Sequence, residues 1–210
     1  PEKQTKVAVS WLTNKITSSY DIFSMSILSF LLTDGPNSPF YKALISSNIG
    51  LTYAPGTGYD SRVRETSFTV GLSEILESDV DKVENIIYQT LDEVALTGFP
   101  QERIDALLYQ IEYSEKNVYS GFGLNLVSGL SHAWMHGSNP SDHMDINEYL
   151  ERLKSDIKAG PFFQNLIRKF LINNPHRLTF VMVPDAEFSA RELSEEEQSL
   201  KVLEETTYAT

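Results

Sequence analysis

Hydrophobic and polar residues alternate in two stretches of the chain and recur at helical spacing through most of the rest. From Lys6 to Thr13, Val7, Val9 and Trp11 alternate with Lys6, Ala8 and Ser10, which predicts a half-buried strand. Arg62 to Leu72 alternates more strongly, with Phe68, Val70 and Leu72 opposed to Ser67, Thr69 and Gly71, and predicts a second strand. Leu51 to Ala54 and Arg177 to Val183 read as shorter strands, and Pro55-Gly56-Thr57-Gly58 as a turn.

Asp21 to Thr33 is apolar almost all round, so it predicts a helix buried on most sides and stopped by Gly35-Pro36. A short helix follows from Ser38 to Asn48, with Ser38 as N-cap and Pro39 at the first helical position. Ser78 is read as the start of a third helix, whose stripe is Val80, Val83, Ile87, Leu91 and Val94 and which Gly98 ends. Pro100 opens the next, with Ile104, Leu107, Leu108 and Ile111 on one face. Further helices are predicted from Leu124 to His136, Ile146 to Lys158 and Pro161 to Asn173, with a loop over 137–142. Strands grouped apart from helices predict an α+β domain, a mostly antiparallel sheet with helices packed on one face. This domain is expected over residues 1–184, and the acidic residues 185–210 as a helical tail or linker to a following domain.

Composition narrows the function. Lys and Arg number 17 against 29 Asp and Glu, a net charge of −12, which repels a phosphate backbone and argues against nucleic-acid binding. The same charge attracts basic peptides. No cysteine is present, so disulfides, thiolate metal sites and a cysteine nucleophile are excluded. No apolar run is long enough for a membrane span, and no basic, apolar leader opens the chain at Pro1.

His132 and His136 stand one helical turn apart and could share a metal ion, with His143 close in sequence. A metal-bound water would need a base, and Ala133 and Met135 occupy the two positions where a glutamate would supply it. They are therefore read as helix-end histidines with local hydrogen bonds. Arg62 and Arg64 could clamp a carboxylate, but read better as a charged sheet edge that resists aggregation. Asp92-Glu93 and Glu195-Glu196-Glu197 are adjacent in helices and point apart, so they are solvated faces and not catalytic pairs.

The segment from Ser29 to Ile45, SFLLTDGPNSPFYKALI, resembles a signature of pitrilysin-like zinc metallopeptidases, with Gly35, Pro36, Asn37, Ser38, Pro39, Tyr41 and Lys42 at its centre. Ser47 to Gly50, Gly71-Leu72, Gly98-Phe99, Arg103 to Leu108 and Phe122 to Leu124 follow in the order of that family's presequence-protease branch, so the resemblance runs from Lys6 to Pro184. It implies the second, non-catalytic domain of the N-terminal half of a larger peptidase. Zinc would be held there by a HxxEH helix on another domain. With Gly35 matched to the glycine after that helix, the ligand and base positions fall on Ser26, Ser29 and Phe30, and the Phe30 ring is expected to fill the zinc region as part of a core helix. The resemblance further implies a wall of a peptide-degrading chamber, other domains of the same polypeptide and unfolded, often basic peptides as partners, and a mitochondrial matrix or plastid setting. The same fold without zinc ligands also serves as a respiratory-complex core subunit or an inactive processing-peptidase partner, which is the alternative implied.

Overall fold

The computed structural model describes residues 3–115, 120–144 and 146–207. Strand β1 (Thr5–Lys15) leads into helix α1 (Ser19–Thr33); β2 (Thr52–Tyr53), β3 (Gly58–Asp60) and β4 (Glu65–Ile75) follow. Helices α2 (Val80–Thr97), α3 (Gln101–Glu115), α4 (Phe122–Met135), α5 (Asn147–Ala159) and α6 (Phe162–Ile167) then run in succession, before β5 (Arg177–Met182) and α7 (Phe188–Thr207). Every strand pair described is antiparallel, in the order β2-β4-β1-β5, with β3 placed end to end with β2 along the same edge of β4. The α+β reading holds.

The sheet has one packed face. Val7, Val9 and Trp11 of β1 stand beside Leu72, Val70 and Phe68 of β4, all at 0% exposure, and α2 lies across them through Val83, Ile87, Leu91 and Val94. Burial of such side chains contributes about 1.5–3 kcal/mol each and drives the layering. On the opposite face, Leu12, Leu178, Phe180 and Met182 are exposed.

Several boundaries depart from the sequence pattern. The second long strand begins at Glu65 and ends at Ile75, so Gly71-Leu72 lies in its middle and not at its end. Arg62 to Arg64 form the bend before it, because the Asp60 carboxylate accepts from both the backbone N–H and the guanidinium of Arg62 at 2.9–3.0 Å and turns the chain there. Gly58, expected in a turn, opens β3. Ser78 lies in a short 3-10 turn (Glu77–Asp79), and Asp79 precedes α2. After Ser38 the chain winds as a wider π turn over Tyr41–Ile45, and a second such turn, Arg168–Ile172, continues α6. Pro140–His143 form a 3-10 turn within the expected loop.

Candidate functional site

α1 holds Ser26, Ser29 and Phe30, the residues that the resemblance sets at the zinc positions, and its C-terminal end leads into the segment Gly35 to Lys42. Met25, Leu28, Leu31 and Leu32 turn inward at 0% exposure, fixing the helix against the core. Ser26 faces solvent, its hydroxyl donating to the Ile22 carbonyl at 2.8 Å. Ser29 is buried. Phe30 corrects the expectation of a core ring: it is 39% exposed. The cause is helical phase. Leu28 and Leu32 face the core, and Ser26 and Phe30, four residues apart, share the opposite side of the helix, so Phe30 projects into an apolar groove of about 390 Å³ lined also by Phe23, Leu107, Ile111 and Ile146. Two short hydroxyl side chains and a phenyl ring offer zinc neither imidazole nor carboxylate.

Gly35 adopts φ +71°, the left-handed conformation that stops the helix. Ser38 is fully buried and its Oγ accepts from the Tyr41 N–H at 3.3 Å while donating to the Gly35 carbonyl at 2.8 Å, so it does cap the following turn. Asn37, Pro39 and Lys42 line a cleft of about 710 Å³ with Thr97, Phe99 and Arg103. Arg103 donates from Nη2 to the carbonyls of Leu31 and Asp34 at 3.2 and 2.8 Å, neutralising the carboxyl end of α1. Tyr53 donates to the Thr33 carbonyl at 3.3 Å, and burial pushes its phenol up to about 12. The residue pattern alone does not mark Arg103 or Tyr53 as tying down this helix end. An arginine in the first turn of a helix, where a cation is unfavourable, is the signal that was available.

The histidines are spread. His132 donates from Nδ1 to the Ser128 carbonyl at 2.8 Å within α4, as expected of a helix-end histidine. His136 lies at the end of that helix, exposed. His143 Nε2 lies 2.9 Å from Ser138 Oγ and 3.4 Å from Ser19 Oγ. Among the described residues no group of three His, Cys, Asp or Glu side chains could hold a metal ion. Arg62 is engaged bidentately by Asp60, whose carboxyl it holds below the usual range, so the pair closes a turn.

An antiparallel sheet under one helical layer, with no metal-binding group of three side chains among the described residues, defines the class of fold. Residues 1–110 match the model of the peptidase M16 inactive domain, and the chain belongs to that family. It is 41% identical over 201 residues to the mitochondrial presequence protease of Xenopus laevis, across 95% of this chain and 20% of that relative. The Schizosaccharomyces pombe mitochondrial presequence protease is 38% identical over 210 residues, 100% of this chain and 21% of its own length. The chain thus spans about a fifth of the curated relatives it matches. Among solved structures, an inactive peptidase domain from Bordetella parapertussis superposes with a TM-score of 0.70 at 16% identity, over 88% of this chain and 95% of that one, a likeness of fold.

Proposed function

We propose that this domain is a non-catalytic wall of the substrate chamber in a zinc metallopeptidase of the mitochondrial matrix that degrades targeting presequences and other unfolded peptides. Zinc and its base belong, on this reading, to another domain of the same polypeptide. The supporting observation is the match to presequence proteases along 95% of the chain; the register implied by the resemblance, which sets Ser26, Ser29 and Phe30 at the ligand positions, agrees with it. The relatives' names favour a peptidase parent over a respiratory-complex core subunit or an inactive processing-peptidase partner. Residues 185–210 act as the acidic linker toward the next domain; α7 is exposed along its described length. The segment Gly35 to Lys42 serves the wall by stopping α1 and shaping the 710 Å³ cleft.

The test is cleavage of an arginine-rich presequence peptide by the parent polypeptide, with and without a zinc chelator. Chelator-sensitive cleavage is expected, and the Ser26→Ala, Ser29→Ala double variant of the parent should retain it within about twofold, since neither hydroxyl takes part in chemistry. A parent that cleaves nothing, or that loses cleavage in the double variant, would overturn the reading.

A further inference from the structure

Residues 120–141 contain no Asp, Glu, Lys or Arg, in a chain where 22% of residues are charged. They build α4. Its inner side rests on the domain through Ala133, with Leu126 and Leu130 half-buried. Its outer side is an apolar stripe: Leu124, Val127, Trp134 and Met135 are 73%, 64%, 68% and 83% exposed. Spacings of three, seven and one place these four on one face, about 16 Å long at 1.5 Å per residue. The polar residues between them ask little of solvent. Ser131 donates to the Ser128 carbonyl at 2.8 Å, and that same carbonyl accepts from His132.

A charge-free stripe rich in tryptophan, methionine and leucine has the composition of the buried centre of a protein interface, where charges are depleted and aromatics and Met enriched. An anionic membrane surface fits poorly. The net charge of −12 opposes approach, and within ten residues of the stripe in sequence a single cation, Lys116, is set against three acids, Glu115, Asp142 and Asp145. A basic peptide fits poorly too, since nothing on α4 would steer it. The abundant remaining candidate is the polypeptide itself: about four fifths of the length of the relatives lies beyond the part this chain matches. We propose that the outer face of α4 is the surface on which this domain docks another domain of the same polypeptide, one offering an apolar, charge-poor patch. The proposal rests on the reading of this chain as one domain of a larger peptidase.

The test places a photoreactive benzoylphenylalanine at Val127 of the parent polypeptide, and at Leu96, an exposed apolar residue of α2, as control. Irradiation should give intramolecular adducts from position 127 to peptides outside these 210 residues, at least fivefold more than from position 96. Adducts to a second copy, to added presequence peptide or to lipid vesicles, or none above the control, would overturn it. In a second arm, Val127→Glu in the parent should speed amide exchange of α4 at least tenfold while β1 and β4 keep their protection. Unchanged α4 exchange would count against docking. If the variant unfolds and β1 and β4 also lose protection, the photochemical arm decides. A parent that crosslinks as expected yet cleaves no peptide would defeat the proposed function and leave the docking surface standing.

Discussion

The Tyr20 hydroxyl of α1 donates to the Asp156 carboxylate of α5 at 2.5 Å, across 136 residues of sequence, with the Arg152 guanidinium 3.7 Å over the tyrosine ring. This contact fastens the α5 helix to the helix that carries the signature. Burial first, and then Asp156, hold the Tyr20 phenol well above its ordinary range. Tyr20→Phe keeps the ring packing on Tyr149 and Phe162 and removes the hydrogen bond alone. Asp156 is 37% exposed and retains Arg152 at 3.8 Å, so it can rehydrate. The expected loss is about 1 kcal/mol, or roughly 2–4 °C in Tm for a domain of this size. Tyr20→Ala also loses the half-buried ring and should cost about 2–3 kcal/mol, below the range for a fully buried aromatic. Thermal melts check both, and a Tyr20→Phe midpoint equal to that of the parent sequence would show that the hydroxyl contributes nothing.

Gly71 and Gly35 separate two reasons for glycine. A Cβ on Gly71 would lie 2.1 Å from the Val7 carbonyl oxygen and 2.6 Å from the Ala8 Cα, both backbone atoms of the neighbouring strand. Gly71→Ala therefore pushes β4 from β1 at the centre of the sheet, with an expected cost of about 3 kcal/mol or more. At Gly35 no atom lies within 4 Å of the added Cβ, and only the φ of +71° penalises a side chain. Gly35→Val should cost about 1–2 kcal/mol. Urea midpoints should fall further for Gly71→Ala than for Gly35→Val. The reverse order would mean that the β1–β4 pair yields where it is drawn rigid.

The long alternations and helical stripes were legible because each rests on residues close in sequence with one buried face: Val7, Val9 and Trp11, or Val83, Ile87 and Leu91. What escaped was decided by partners far along the chain. β3 forms because Gly58 to Asp60 meet Thr69 to Ser67 on β4, a pairing that a Pro-Gly-Thr-Gly turn does not announce. Phe30 looked like core because α1 is apolar on nearly every side, and periodicity has little to discriminate on such a helix. The family signature was readable in order from the sequence, but the cleft that Asn37, Pro39 and Lys42 share with Arg103 needed the fold.

Three half-buried phenols predict alkaline sensitivity. Burial raises Tyr20, Tyr53 and Tyr59 above the ordinary 10.0, Tyr53 to about 12. The folded chain thus keeps protons that the unfolded chain releases near 10, so this stability is complete below that pH and is lost as pH rises toward the folded values. Each phenol adds a downward slope in that window, smaller than for a fully buried group because solvent screens these half-exposed rings. Unfolding free energy should be level in this respect up to pH 9 and fall between 10 and 12, less steeply in Tyr53→Phe. An equal fall in the variant would remove Tyr53 from the account.

The acidic surface predicts how peptides meet this domain. With 29 Asp and Glu against 17 Lys and Arg, and Glu195, Glu196 and Glu197 all exposed on α7, the field is negative and diffuse. Salt screens it over about 8 Å at physiological ionic strength, so attraction should be weak and fast and should fall as salt rises. An arginine-rich amphipathic peptide should bind measurably at low salt and its glutamate-substituted twin should not. Raising salt from about 50 to 300 mM should weaken the first at least fivefold. Trp134→Ala should leave this binding unchanged, because the α4 stripe carries no charge to contribute. Fluorescence titration of the labelled peptides separates the outcomes. Equal binding of the twins, or binding indifferent to salt, would reduce the acidity to a matter of solubility, while loss of binding in Trp134→Ala would place the peptide on α4 and count against that face as an interdomain surface.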